Sequence, residues 1–218
     1  MFDEIRQFLE EKGLPAMRFK QIEDAVFKGL ILNFGDMQYL PKDLREELCE
    51  KFVLNPFEIV EVEDSSESSK FVFKTQDGNY IESVLMRHLK DRRTVCVSSQ
   101  IFCAMGCKFC ATGANKFKRN LTEEEIVFQV LSIGKYLKDK SEVPVKNVVF
   151  MGMGEPFMNY NNVLGAIRVF NDDKKMGIGA RHITVSTCGL ADKIEKFADE
   201  GLQVRLAISF HAPFADLR

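Results

Sequence analysis

Apolar residues along the first fifty positions recur at helical spacing in three separate runs. Ile5, Phe8 and Leu9 share one face, Phe19, Ile22, Val26 and Phe27 a second, and Leu44, Leu48 and Phe52 a third that begins after Pro41. Three short packed helices are expected. From Phe57 to Met86 the period shortens to two. Ile59, Val60 and Val62, then Phe71, Val72 and Phe73, then Tyr80, Ile81 and Val84 alternate with polar residues, separated by the polar tract 63–69 and the turn Gln76-Asp77-Gly78-Asn79. That pattern predicts a small antiparallel sheet. The basic stretch 87–93 offers no obvious core residue and reads as a linker, so a boundary is placed near residue 90.

Beyond Thr94 strand-like and helix-like runs take turns. Strands are expected at 94–98, 145–151, 182–186 and 204–210, and helices at 121–137, 162–170 and 191–200, the first of these opened by a Thr122/Glu125 capping box. Strands alternating with helices imply right-handed crossovers and a parallel sheet, with chemistry at the C-terminal strand ends. The fold class expected is therefore α/β, a partial parallel (β/α) barrel over 91–218 with an N-terminal accessory domain of helices and a small sheet over 1–90. The last strand stops eight residues before Arg218, as though the barrel were cut off after strand four.

Composition narrows the class without redirecting it. Hydrophobic residues make up 45% and charged residues 28% of 218 positions, which excludes collagen-like and disordered chains. No apolar run approaches membrane-spanning length and the first ten residues do not resemble a signal peptide, so no membrane association and a cytoplasmic location are expected. The net charge of -2 is unevenly spread: residues 1–90 hold 12 Lys or Arg against 18 Asp or Glu, and residues 91–218 hold 18 against 14. A polyanion would favour the second half.

Chemistry concentrates behind the first barrel strand. Three of six cysteines lie in Cys103-Ala-Met-Gly-Cys107-Lys-Phe-Cys110, where three thiolates can hold three irons of a cubane cluster and leave the fourth iron open. On spacing alone, a zinc knuckle completed by Cys96, His88 or His211, or a set of inert thiols, stays open. A short basic run with an interposed aromatic, Lys116-Phe117-Lys118-Arg119, follows the cysteines. Such a run is ordinarily a solvated face, but beside a nucleic-acid site it would supply phosphate contacts and base stacking.

The cysteine spacing at a first strand end resembles that of the radical S-adenosylmethionine superfamily. Flanking motifs narrow the resemblance: Cys96-Val-Ser-Ser-Gln100, Ala111-Thr-Gly113, Lys118-Arg-Asn-Leu-Thr122, Gly152-Met-Gly154-Glu155-Pro156, Ser186-Thr-Cys-Gly189 and Ser209-Phe-His211-Ala-Pro213. Together they are similar to those of the dual-specificity ribosomal and transfer RNA adenine C2-methyltransferases, over about Arg6 to Arg218. The resemblance implies a 4Fe–4S cluster on Cys103, Cys107 and Cys110. It implies S-adenosylmethionine held by Gly154, Glu155, Ser186, Ser209, Phe210 and His211. Ribosomal and transfer RNA would be the substrates, a flavodoxin or ferredoxin the electron donor, and the full-length protein a monomer.

Further roles follow from the resemblance. Adenine C2 is an electron-poor carbon that does not attack a sulfonium methyl, whereas a carbon radical can add to it. A cysteine beyond Arg218 would carry the methyl group, Glu82 would remove the C2 proton from a covalent RNA adduct, and Cys96 would release the product by forming a disulfide with the carrier. Without that carrier, the 218-residue chain is expected to be inactive alone, and poorly soluble through the apolar edge of Leu206, Ile208 and Phe210. A sister activity at adenine C8, a radical enzyme acting on a small molecule and a zinc-based RNA-binding module are the alternatives. Pro156 and the stretch Arg119-Asn-Leu-Thr122 lean towards C2.

Overall fold

A computed structural model describes residues 1–210, 212 and 214. Three helices open the chain, α1 (Phe2–Glu11), α2 (Met17–Phe27) and α3 (Lys42–Lys51), each burying the apolar face its sequence predicts. Three antiparallel strands follow, β1 (Phe57–Asp64), β2 (Ser68–Thr75) and β3 (Tyr80–His88). The α/β part then runs β4 (Arg92–Cys96), a two-residue ribbon of β5 (Gln100–Ile101) and β6 (Arg119–Asn120), α4 (Glu123–Asp139), β7 (Asn147–Phe150), α5 (Tyr160–Asn171), β8 (Ile183–Thr187), α6 (Ala191–Ala198) and β9 (Arg205–Ile208).

Among the described residues, β1-β2-β3-β4-β7-β8-β9 form one continuous sheet, antiparallel up to β4 and parallel from β4 to β9. The stretch 87–93 is therefore a hairpin and not a linker: His88 pairs with Arg92, and Lys90 and Asp91 turn the chain with φ of 60° and 54°. An exposed apolar tip, Leu89, hid the turn from a reading that looked for core residues. Mirror-type hairpin turns need positive φ, which aspartate tolerates better than most residues. The sheet thus crosses residue 90 without a break, and one hydrophobic cluster runs from Ile5 to Phe197.

Alternation along the strands gives the sheet two unlike faces. Phe71, Phe73, Ile81, Leu85, Val95, Val148, Phe150, Ile183 and Val185 are buried beneath the helices. Helix α4 lies between this face and the accessory helices, which is why Ile126 to Ile133 are buried all the way round. The other face carries Val84, Cys96, Val149, Thr184 and Ser186, all half-buried, and is the concave side of the incomplete barrel. On β9, Leu206 and Ile208 are exposed, so the sequence reading of an apolar edge agrees with the structure.

Candidate active site

The strand ends at the C-terminal side of the parallel sheet converge on residues 97–100. Val97 donates its N–H to Val149 O (2.9 Å) and accepts from Gly152 (3.1 Å), so the chain follows β7 past the formal end of β4. Ser99 and Gln100 both donate to Met153 O, at 2.8 and 3.2 Å. Gln100 also accepts from the Glu155 N–H (2.9 Å) and donates to Asn120 (2.8 Å), which joins β7, β5 and β6 through one side chain.

Two glycines permit this approach, and what they approach is protein. A Cβ on Gly152 would stand 2.8 Å from Ser98 Oγ, and one on Gly154, at φ 104°, would stand 2.6 Å from Gln100 Cβ. Neither site has room for a side chain, and the second also has a backbone that disfavours one. Glu155 is buried, with one carboxylate oxygen accepting from Phe157 N (3.1 Å) and the other from Cys188 N (2.8 Å). The carboxylate therefore ties the β7 turn to the end of β8. An ionised carboxylate has about four lone-pair sites, so it keeps capacity for an ammonium donor. Ser186 and Ser209, at the ends of β8 and β9, meet with their hydroxyls 3.1 Å apart. Phe210 is exposed, and His211 lies outside the described residues.

The three clustered cysteines sit on a loop, 102–118, that leaves the ribbon β5 and returns to β6. Its internal bonds include Cys110 N to Cys107 O (3.1 Å), Ala114 N to Ala111 O (3.3 Å), the Asn115 amide to Ala111 O (3.5 Å), the Cys103 thiol with the Met105 backbone, and Lys118 N closing the loop on Ile101 O (3.1 Å). The thiols share one electrostatic neighbourhood. Burial pushes the Cys103 thiol up, and the charges of Cys107, Glu155 and Cys110 push the same way. The Cys188 thiol is pushed up to about 12, first by burial and then by the charge and hydrogen bond of Glu155, with Cys107 and Cys103 adding to it.

This donor set, three half-buried thiols on one loop, suits a cubane with one free iron corner. Among the described residues no three His, Cys, Asp or Glu side chains stand close enough to hold one metal ion. Of the candidate fourth zinc ligands, His88 pairs with Arg92 at the opposite end of the sheet, Cys96 is the last residue of β4 on the concave face, and His211 lies outside the described residues.

The family is decided by comparison with known proteins. Residues 97–218 match the model of the Radical SAM superfamily. The chain belongs to that superfamily. Membership implies a 4Fe–4S cluster and S-adenosylmethionine as cofactors, which the cysteine loop and the strand ends suit. The radical SAM chain is 47% identical over 99% of its length to a Dictyoglomus thermophilum protein named "Probable dual-specificity RNA methyltransferase RlmN", and 45% identical to one so named from Bacillus thuringiensis. It spans 62% and 59% of the lengths of those two relatives. A crystal structure of a radical SAM methyltransferase from Sphaerobacter thermophilus superposes with a TM-score of 0.93 at 41% identity, covering 100% of this chain and 64% of that one.

Other residues named in advance fall unevenly. Glu82 is exposed near the start of β3, and its carbonyl accepts from Ser98 Oγ (2.6 Å) while its carboxylate lies 3.7 Å from Lys70 Nζ. Cys96 pairs directly with Val84, two residues along from Glu82, so both side chains belong to the concave face. Burial pushes the Cys96 thiol up to about 11 against a backbone hydrogen bond from Met151. Lys116, Phe117 and Lys118 are exposed. Arg119 departs from the expected phosphate contact: it forms a fork with both Glu125 oxygens (2.7 and 2.8 Å) and reaches Asp77 (2.7 Å), holding the β2–β3 turn against the start of α4. All six cysteines are free thiols.

Sequence reading missed the polar residues that hold the site. Asn159 is buried and donates to Ser99 O (2.8 Å) and Leu121 O (2.7 Å), and Gln129 is buried in α4. Gln129 carried a signal, because it interrupts the otherwise apolar run Ile126 to Leu131. Buried amides are retained where backbone groups need partners.

Proposed function

We propose that this chain supplies the cluster-binding and cofactor-binding part of an RNA methyltransferase that places a methyl group on C2 of adenine in 23S ribosomal RNA and in transfer RNA. The observation that supports it most is the juxtaposition of Glu82 and Cys96 on one face of paired strands. Cys103, Cys107 and Cys110 would hold the cluster, while Glu155, Gly154, Ser186, Ser209, Phe210 and His211 would orient S-adenosylmethionine. When bound, these groups supply one-electron chemistry able to functionalise an unactivated carbon.

The chain's own residues do the rest. Glu82 takes the C2 proton from the base. The Cys96 thiolate attacks the sulfur of a methyl-carrying cysteine outside these 218 residues; the sulfur–carbon bond breaks, its electron pair goes to the carbon left on the adenine, that carbon takes a proton from water to become the methyl group, and a disulfide forms. Lys116, Phe117 and Lys118 face the RNA. A flavodoxin-type or ferredoxin-type donor supplies electrons, and the full-length protein works as a cytoplasmic monomer.

Mass spectrometry of adenines from RNA treated with the full-length, cluster-loaded protein tests this reading. C2-methyladenine is expected in both RNAs. C8-methyladenine would assign the sister activity, and the absence of any methylated adenine would sink the proposal.

A further inference from the structure

Gln129 uses every hydrogen-bonding position it has. Its Oε1 accepts from Ser98 N (2.8 Å) and from Ser83 Oγ (2.6 Å), and its Nε2 donates to Ser98 O (3.0 Å) and Glu125 O (3.1 Å). Ser98 in turn donates from Oγ to Glu82 O (2.6 Å) and accepts there from Met153 N (2.9 Å). Gln129 is wholly buried, as are Ser83 and Ser98. A single side chain on α4 thus grips β3 one residue past Glu82 and the chain two residues past Cys96. No strand pairing does this, because the β3–β4 ladder ends at Val84 and Cys96.

We propose that Gln129 is a positioning residue that fixes the separation of Glu82 and Cys96 across the ends of β3 and β4. The inference rests on the roles given to those two residues above. Both act on one covalent RNA adduct, so they must reach the same base within a fraction of an ångström. Without the clamp only the Ser98 Oγ–Glu82 O bond ties the strand ends beyond their last ladder pair, and they shift. Proton removal and disulfide formation then slow, while cluster and cofactor binding, assigned to the cysteine loop and the ends of β7, β8 and β9, continue.

The test uses full-length, cluster-loaded protein carrying Gln129→Met or, as the milder change, Ser83→Ala. Three quantities are measured: iron per chain, methylated adenine formed, and RNA still covalently attached after denaturation. Both variants should keep their iron. Gln129→Met should lose roughly tenfold or more in product and Ser83→Ala severalfold, about the loss of one buried hydrogen bond, and attached RNA should rise in the same order.

Glu82→Gln and Cys96→Ala serve as references. If neither reference retains RNA, the roles of Glu82 and Cys96 fail and the positioning role fails with them. If the references retain RNA but the Gln129 and Ser83 variants turn over like the parent, the positioning role alone is overturned. Loss of product together with iron, and without attached RNA, overturns it equally, since that marks a purely structural residue. Should Gln129→Met fail to fold, Ser83→Ala decides by the same criteria.

Discussion

The cysteine loop and the strand-end cradle stand side by side and are built on opposite principles. Between 102 and 118 the chain is exposed or half-buried, and its bonds are local ones such as Cys110 N to Cys107 O and Ala114 N to Ala111 O. Between 97 and 100, by contrast, the backbone is buried and is bonded to β7, α4, Asn159 and the start of α4 through Leu121. The cradle is shaped by the protein alone. The loop instead presents three thiols to a ligand, so cluster binding should add its free energy to the folded state.

The sharpest break of that comparison comes from the cysteines. Cys103→Ala, Cys107→Ala or Cys110→Ala should abolish iron binding outright, while Cys96→Ala should leave about four irons per chain. The apo proteins should lie within about 0.5 kcal/mol of the parent in stability, since the three thiols are only half-buried. Iron and sulfide analysis with thermal melts checks both halves. Stoichiometric zinc that resists iron and sulfide would restore the zinc reading.

Cys96 tests the cradle. Its thiol is pushed up to about 11 by burial, so at pH 8 the thiolate should be on the order of a hundredfold scarcer than for a free cysteine, whose pKa is about 8.5. The sign follows from burial disfavouring the charged form: the folded state prefers the thiol, and the stability this contributes is lost as pH rises from about 9 to about 11. Alkylation of Cys96, followed by peptide mass spectrometry, should still be rising above pH 10. A plateau near pH 8.5 would show a solvated thiol and a loose cradle.

Two glycines sharpen the contrast in stability. Gly154→Ala drives a methyl group into Gln100 at a backbone angle alanine avoids, and should cost about 3 kcal/mol. Gly106→Ala, at φ 60° in the cysteine loop with nothing within 4 Å, should cost only about 1 kcal/mol. Denaturant titration of both apo variants measures the difference, and equal losses would mean the two regions are equally constrained.

The sequence announced the loop more readily than the cradle, for a physical reason. Three cysteines at fixed spacing are a local signal, as are the capping box of α4 and the period change at Phe57, all present in the structure. The bonds that brace Ser83 and the stretch 97–100 are non-local: Gln129 is 46 residues from Ser83, and Asn159 is 60 from Ser99. Spacing along the chain cannot reveal such partners, and a polar residue inside an apolar helix face was the one available sign. The hairpin at residue 90 was obscured in the same way, since its pairing shows only when both strands are placed.

The smallest expected effect separates the cations on the returning arm of the loop. Lys116 and Lys118 are exposed and no ion pair to either is found among the described residues, whereas Arg119 faces two carboxylates across three bonds of 2.7 to 2.8 Å. An arginine already neutralised within the protein has no counterion to displace from RNA. For full-length protein, Lys116→Ala and Lys118→Ala should each lower the slope of log affinity against log salt by about 0.7 to 0.9, with a modest loss of affinity. Arg119→Gln should leave the slope where it was and instead lower the melting temperature, because Glu125 would lose its fork while still serving the capping box at Thr122. A slope change on Arg119→Gln equal to that of the lysines would mean that RNA pulls Arg119 away from Asp77 and Glu125, and that this arm of the loop is as adaptable as the cysteines it follows.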